Sequence, residues 1–176
     1  AMVDRVGVRS SLTGCEFLNN AARWRAGALY LDYGARPQIV DCRFQGNRSD
    51  VHGGAIAAVS RASQLESTIA VIQRTSFVGN SAGKRGGAVA NRDHCELGFE
   101  GCTFTGNRAG TGGGALANDS RTRAVVIDCR FSGNRADRGE ADVDSDGSST
   151  ASSSRADWPD PSSRSRPGGF GPPRQR

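Results

Sequence analysis

The chain has 176 residues, with 24 glycines, 6% aromatic residues and a formal net charge of +5. This composition argues against a helical bundle and favours a fold made of many short turns. No apolar run approaches the ~18 residues of a membrane-spanning helix, and no signal peptide is recognisable at the start. Ala1 precedes Met2 close to the first repeat, which is typical of a fragment of a longer protein.

A phenylalanine recurs at intervals of 27, 33, 27 and 27 residues, at Phe17, Phe44, Phe77, Phe104 and Phe131. Three positions after each comes an asparagine, giving Asn20, Asn47, Asn80, Asn107 and Asn134. After the first four phenylalanines, a glycine-alanine-aliphatic motif follows, with its alanines at Ala28, Ala55, Ala88 and Ala115. Such self-similarity indicates a repeat architecture. The asparagines are predicted to sit in left-handed turns and bond to the coils above and below, and the glycine pairs to need positive φ.

Two further columns define the coil. An apolar residue stands five positions before each phenylalanine, and a cysteine or threonine stands two positions before it. Because side chains alternate along a strand, the cysteine and phenylalanine columns share a face, and the apolar column lies beyond a corner. Asp41 and Asp128 are well suited to turn the chain at that corner. Three short strands and three turns per 27 residues predict a triangular coil.

Stacked coils of this kind form a solenoid. We predict an all-β fold, a right-handed parallel β-helix of about five coils, over residues 5–136. The repeat of 33 residues has six more than the others, and the motif positions place these in a loop near residues 60–67.

Residues 137–176 are predicted to be a disordered tail, because they contain nine serines and five of the six prolines. Within the tail, residues 142–147 match the first half of an EF-hand calcium loop. Ser153 stands where that loop needs a glutamate, so a solvated acidic linker is the better interpretation. Trp158 and Phe170 are isolated and do not indicate a docking motif.

No metal or cofactor site is predicted. The five cysteines contain no C-x-x-C pair, and neither histidine has ligand spacing to them. Cysteines in register on neighbouring parallel strands point the same way, which makes a disulfide between them difficult. Free, inward-facing thiols are therefore expected.

No catalytic residues are predicted, and the chain is not expected to be an enzyme. Glycoside hydrolysis needs two carboxyl groups within about 5–9.5 Å. Asp41 and Asp128 share a column but lie three coils apart, which is ~14 Å. The alternative is a degenerate polysaccharide lyase or hydrolase, since many parallel β-helices have those activities.

Outward-facing arginines suggest a binding surface. Arg43 and Arg130 lie between the cysteine and phenylalanine columns, whereas Arg48, Arg108 and Arg135 each follow a column asparagine. Together they predict a broken basic stripe along one edge of the rod, suited to an anionic glycan or a lipopolysaccharide. A nucleic-acid partner is not indicated. The simpler alternative is an ordinary arginine-rich surface.

The combination of Phe-x-x-Asn with Gly-Gly-Ala-aliphatic resembles the repeat of the chlamydial polymorphic outer membrane proteins. The matches are Phe44–Asn47 with Gly53–Ile56, Phe77–Asn80 with Gly86–Val89, and Phe104–Asn107 with Gly113–Leu116. The resemblance covers roughly residues 15–134. It implies a β-helical passenger displayed at the cell surface, with adhesion to a glycan or a host surface protein as its role.

We therefore expect a structural or adhesive module of a surface-exposed or secreted protein. A fragment without an independent role is a third possibility. Neither end of the repeat shows a capping helix or a polar terminal coil, so end-to-end self-association is expected.

Overall fold

The computed structural model describes the backbone of residues 2–5 and all of residues 9–60, 67–146 and 148–153. These ranges form 22 β-strands arranged in four parallel sheets. They contain no helix that could cross a membrane. The predicted all-β parallel solenoid is confirmed.

The strands of each sheet belong to successive coils, and all their pairings are parallel. Sheet A contains β1 (Met2–Arg5), β5 (Leu29–Asp32), β9 (Ile56–Val59), β13 (Val89–Arg92), β17 (Leu116–Asp119) and β21 (Val143–Ser145). Sheet B contains β2 (Ser11–Thr13), β6 (Gln38–Val40), β10 (Ile69–Gln73), β14 (Glu96–Glu100), β18 (Arg123–Ile127) and β22 (Thr150–Ser152). Sheet C contains β3 (Glu16–Leu18), β7 (Arg43–Gln45), β11 (Ser76–Val78), β15 (Thr103–Thr105) and β19 (Arg130–Ser132). Sheet D contains β4 (Ala21–Ala22), β8 (Arg48–Ser49), β12 (Ser81–Ala82), β16 (Arg108–Ala109) and β20 (Arg135–Ala136).

Each full coil has four strands, not the three of the predicted triangle. The additional strands are those of sheet D, which are two residues long. They arise because the residue before each column asparagine, such as Gly79 with φ of 59°, turns the chain sharply. The corner between sheets B and C is where it was predicted, with Asp41 and Asp128 at positive φ.

The phenylalanine column forms a continuous stack through the core. Neighbouring ring centroids are 4.6, 5.1, 4.8 and 4.9 Å apart, and the rings are within 8° of parallel. The apolar column, including Ile39, Ile72 and Phe99, packs against this stack from sheet B. Inward aliphatic residues of sheet A, such as Leu116, complete the core.

The column asparagines form a hydrogen-bonded ladder, as predicted. The Asn80 side-chain amide donates to Asn107 Oδ1 at 3.0 Å and to the carbonyl oxygen of Phe44 at 3.0 Å. Its own Oδ1 accepts from the backbone N–H and the side-chain amide of Asn47, both at 3.0 Å. The predicted left-handed conformation of these asparagines is wrong, because positive φ falls on the preceding residue.

The two glycines of each pair have different functions. Gly53 is the one with positive φ, 66°. Gly54 instead allows close approach, because a Cβ there would lie 2.1 Å from the carbonyl oxygen of Gly87 in the next coil. The prediction that both glycines need positive φ is therefore half correct.

The ordered coil continues past the predicted boundary at residue 136. β21 pairs with β17, and β22 pairs with β18, forming part of a sixth coil. The predicted solvated linker is wrong, since Asp142 accepts a 3.0 Å hydrogen bond from the Asn134 amide at the end of the ladder. Residues 154–176 of the predicted tail lie outside the described residues.

The six extra residues of the long repeat lie between β9 and β10, as predicted. Ile56 stays in register with Val89, and Ile69 with Glu96, so the insertion disturbs neither sheet. Residues 61–66 of this loop lie outside the described residues.

The cysteines are free thiols, as expected. Cys42 and Cys102 point into the core next to the phenylalanine stack, and Cys95 packs at the corner between sheets A and B. Burial raises the pKa of the Cys42 and Cys95 thiols, which disfavours the reactive thiolate. These thiols act as small apolar core residues.

Candidate ligand-binding surface

The predicted arginine stripe occupies two adjacent sheets. Arg43 and Arg130 are on the outer face of sheet C, in one column with Ser76 and Thr103. The other three are on sheet D, where they share a column with Ser81; they are Arg48, Arg108 and Arg135. The five side chains thus lie on neighbouring faces of the rod, in the order that the repeat predicts.

Acidic partners neutralise part of this stripe. Arg43 lies 3.8 Å from Glu16, Arg48 lies 3.6 Å from Asp50, and Arg108 lies 2.9 Å from Asp137. All these pairs are exposed, so each contributes little to stability and can be opened by a competing anion. Among the described residues, Arg130 and Arg135 have no ion-pair partner. The stripe is therefore mixed in charge and not simply basic.

An open groove of about 320 Å³ runs along sheet D. Its sides carry Arg48 with Asp50 at one end and Arg108 with Asp137 at the other. Its floor is formed by small residues, namely Ser81, Ala82, Gly83 and Gly110. A smaller depression of about 150 Å³ continues it past Arg48 to strand β4. The groove follows the rod axis across several coils.

Sequence reasoning found the arginines of this groove but missed the acids Asp50 and Asp137 and its small-residue floor. The missing signal was the two-residue strand, which has no periodicity. Asp50, Gly83, Gly110 and Asp137 do fall at the repeat interval, three positions after the column asparagine, and an alignment of the repeats would have placed them together.

A second polar cluster lies on the outer face of sheet A. Arg85 bridges Asp119, at 3.5 Å, and Asp144, and Arg92 lies 3.3 Å from Asp119. Side-chain exposure in these pairs is only 18–23%, so they are screened less than the groove pairs. Asp144 extends over Gly112, where a Cβ would collide with its carboxylate.

Two carboxylates of this cluster have pKa values shifted in opposite directions. Burial raises the pKa of Asp119, and the adjacent Asp146 carboxylate raises it further. The backbone N–H of Ser120, which donates to Asp146 at 2.7 Å, lowers the pKa of Asp146. Sequence reasoning missed this cluster because its members come from three coils and share no motif.

His52 is surrounded by cations beside the same face. Burial lowers its pKa to about 4, and Arg92, Arg25, Lys84 and Arg85 add to the effect. Its Nδ1 is buried without a hydrogen-bond partner in the structure. A neutral imidazole is therefore the form that the fold favours at pH 7.

The acids considered for catalysis are structural. Asp41 forms a two-point ion pair with Arg74, at 2.8 and 3.0 Å, which lowers the pKa of that carboxyl. Within the described ranges, no three His, Cys, Asp or Glu side chains are grouped as a metal site would require. The expectations of no cofactor and no enzymatic activity remain predictions.

Four parallel sheets wound around one core define a parallel β-helix. The sequence matches the family model of the right-handed β-helix region over residues 3–136. The chain therefore belongs to the right-handed β-helix family. Searches of curated proteins and of solved structures find no match.

Proposed function

We propose that this β-helix is a structural and adhesive module of a surface-exposed or secreted protein, and that it binds an extended anionic glycan along sheet D. The observation that carries the proposal is the axial groove with an Arg–Asp pair at each end. The groove is open and shallow, which suits a chain better than an enclosed small molecule.

The chemistry of the groove suits a glycan. Arg48 and Arg108 offer planar donors that match carboxylate or sulfate groups. Asp50, Asp137 and Ser81 offer acceptors for sugar hydroxyls. Coils repeat every ~4.8 Å, so a linear polymer along the axis meets similar groups in successive coils.

The same surface is less suited to nucleic acid. Affinity for nucleic acid comes mainly from unneutralised positive charge, and single strands also stack on aromatic side chains. Here acids accompany the arginines, and no aromatic residue lines the groove.

Binding to immobilised heparin tests the proposal. Arg48→Gln combined with Arg108→Gln should weaken binding by about tenfold, because two charge-assisted contacts are lost. Arg74→Gln is the matched control, since Arg74 is an exposed, ion-paired arginine on a different face. Binding should also weaken as salt rises. Equal heparin affinity of the double variant and the control would contradict the proposal, as would salt-independent retention.

The cell-surface part of the proposal is supported by the resemblance to the chlamydial polymorphic outer membrane proteins. Labelling of intact source cells with a membrane-impermeant amine or thiol reagent, or protease shaving, tests it. Recovery of the protein only from lysed cells would contradict display at the surface.

A second candidate function is cleavage of a polysaccharide at the outer face of sheet A. It is favoured by Asp119 and Asp146, whose pKa values are shifted apart as in many acid–base pairs. Their arginine partners also fit a purely structural ion-pair network, so binding remains the first proposal. Release of reducing or unsaturated ends from pectin, alginate or heparin, abolished by Asp119→Asn, would establish the activity.

A further inference from the structure

Three aliphatic side chains on the outside of the coil are shielded from solvent. Val71, Val125 and Ile127 belong to sheet B and have exposures of 5%, 0% and 5%. They do not belong to the core cluster, whereas their strand neighbours Ile72 and Ala124 do. By the alternation of side chains along a strand, the three therefore point outward.

Neighbouring side chains on sheet B do not account for this burial. In the column of Val125 the adjacent coils present Gly98 and Ser152, which have little or no side chain. All described strands belong to the four sheets of the coil, so none of them forms a layer over this face. An outward valine keeps part of its surface in water unless something lies across it.

We propose that residues 154–176 of this chain dock along the outer face of sheet B, with Trp158 covering Val125 and Ile127. The described chain leaves the coil immediately after β22, and Ser152 of that strand is paired with Val125. A segment of 23 residues (176 − 153) spans up to roughly 75 Å when extended, whereas six strands span only about 24 Å.

The composition of this segment complements the face. It contains Trp158, Phe170 and five prolines, so it can bury apolar surface in an extended conformation that pairs with no strand. It also contains five arginines and two aspartates, a net charge of +3, opposite Glu96 and Glu100 on the sheet. Covalent attachment adds an effective concentration in the millimolar range, so even weak contacts can hold it.

Tryptophan fluorescence of the full chain provides the test, because the sequence contains only two tryptophans. Trp24 is 78% exposed and serves as an internal reference for a solvated indole. Trp24→Phe reports Trp158 alone, and Trp158→Phe reports Trp24 alone. Trp158 should emit at shorter wavelength than Trp24 and be quenched less by acrylamide.

Disrupting the face should release the tryptophan. In the Trp24→Phe background, Val125→Asp should shift Trp158 emission to the wavelength of Trp24 and abolish its protection from acrylamide. Val78→Asp is the matched control, because Val78 is a half-buried, outward valine of sheet C. Circular dichroism verifies that each variant stays folded. Should Val125→Asp unfold the chain, Trp158→Ala replaces it, with increased binding of a hydrophobic dye as its readout.

Light scattering separates this proposal from coverage by a second copy. A monomer with a protected Trp158 supports docking of the chain's own segment. A Trp158 as exposed as Trp24 overturns the proposal. So does a dimer that dissociates on Val125→Asp while Trp158 emission stays unchanged, because the second copy would then cover the face.

Discussion

The asparagine of each coil links three coils through its side chain. Asn80 donates to Asn107 and to the Phe44 carbonyl, and accepts two bonds from Asn47. Since all of these groups are buried, loss of one asparagine leaves polar groups without partners in the core.

Asn80→Ala should lower the free energy of unfolding by about 3 kcal/mol, because buried donors and an acceptor lose their partners. Asn20→Ala is the control. Asn20 is at the start of the ladder and donates to Asn47 without accepting a ladder bond, so its loss should cost about 1 kcal/mol or less. Urea unfolding measures both, and equal losses would show that the ladder does not bear on stability.

The second glycine of each pair should tolerate no side chain. Gly54→Ala places a Cβ 2.1 Å from the Gly87 carbonyl and 2.6 Å from the backbone of Ser81, so the coils must separate. We expect a loss of more than about 3 kcal/mol, or failure to fold. Gly79→Ala meets nothing within 4 Å but keeps a positive φ of 59°, so about 1 kcal/mol is expected. A smaller effect at Gly54 than at Gly79 would contradict the close-approach explanation.

His52 should make stability depend on pH. Its pKa in the folded protein is about 4, below the ordinary value of 6.5. Between these values the unfolded chain binds a proton that the folded protein does not, so stability falls as pH falls from 6.5 towards 4 and is constant above 6.5. Allowing for solvent screening, the loss should be on the order of 1–2 kcal/mol. His52→Gln should remove this part of the pH dependence; unfolding curves with the same slope in both proteins would contradict it.

At the level of elements, the repeat predicts what is periodic and misses what is not. The phenylalanine and asparagine columns identify sheet C and its corner, because stacking imposes one residue type at each level. Sheet D was missed because two residues cannot show alternation. The inward bonds from Asn91 to Asn118 and from Asn118 to Ser145 were also missed, because the column has Ala58 in the preceding coil.

The sixth coil was missed for a related reason. Its Gly-Gly-Ala motif is replaced by Glu140, Ala141 and Asp142, so the pattern stops although the backbone pairing continues. Val143 in register with Leu116 was the remaining signal. Ion pairs such as Arg85 with Asp119 join coils at distances that no local pattern encodes.

At the scale of the whole molecule, the two ends differ, contrary to the prediction that neither has a polar coil. At the C-terminal end, Asp142, Ser145 and Ser149 accept hydrogen bonds from the last full coil, forming a polar cap over sheets A and B. At the other end, β2, β3 and β4 are first in their sheets, and Leu12 and Phe17 are only partly buried.

Self-association should therefore occur through the N-terminal coil. Light scattering should show a mass that increases with protein concentration. Ser11→Lys combined with Thr13→Lys places two charges on the exposed positions of edge strand β2 and should restore a monomer. The same double substitution at Thr103 and Thr105, on the interior strand β15, is the control. A wild-type monomer at all concentrations would refute the prediction.

The direction of the backbone hydrogen bonds has a mechanical consequence. They run between coils, along the rod axis, so a pulling force on the two ends acts on one coil's bonds at a time. Each 27-residue coil that peels away would release roughly 90 Å of chain, and the 33-residue coil roughly 110 Å. The rod would thus lengthen in discrete steps under load while its remaining coils stay folded.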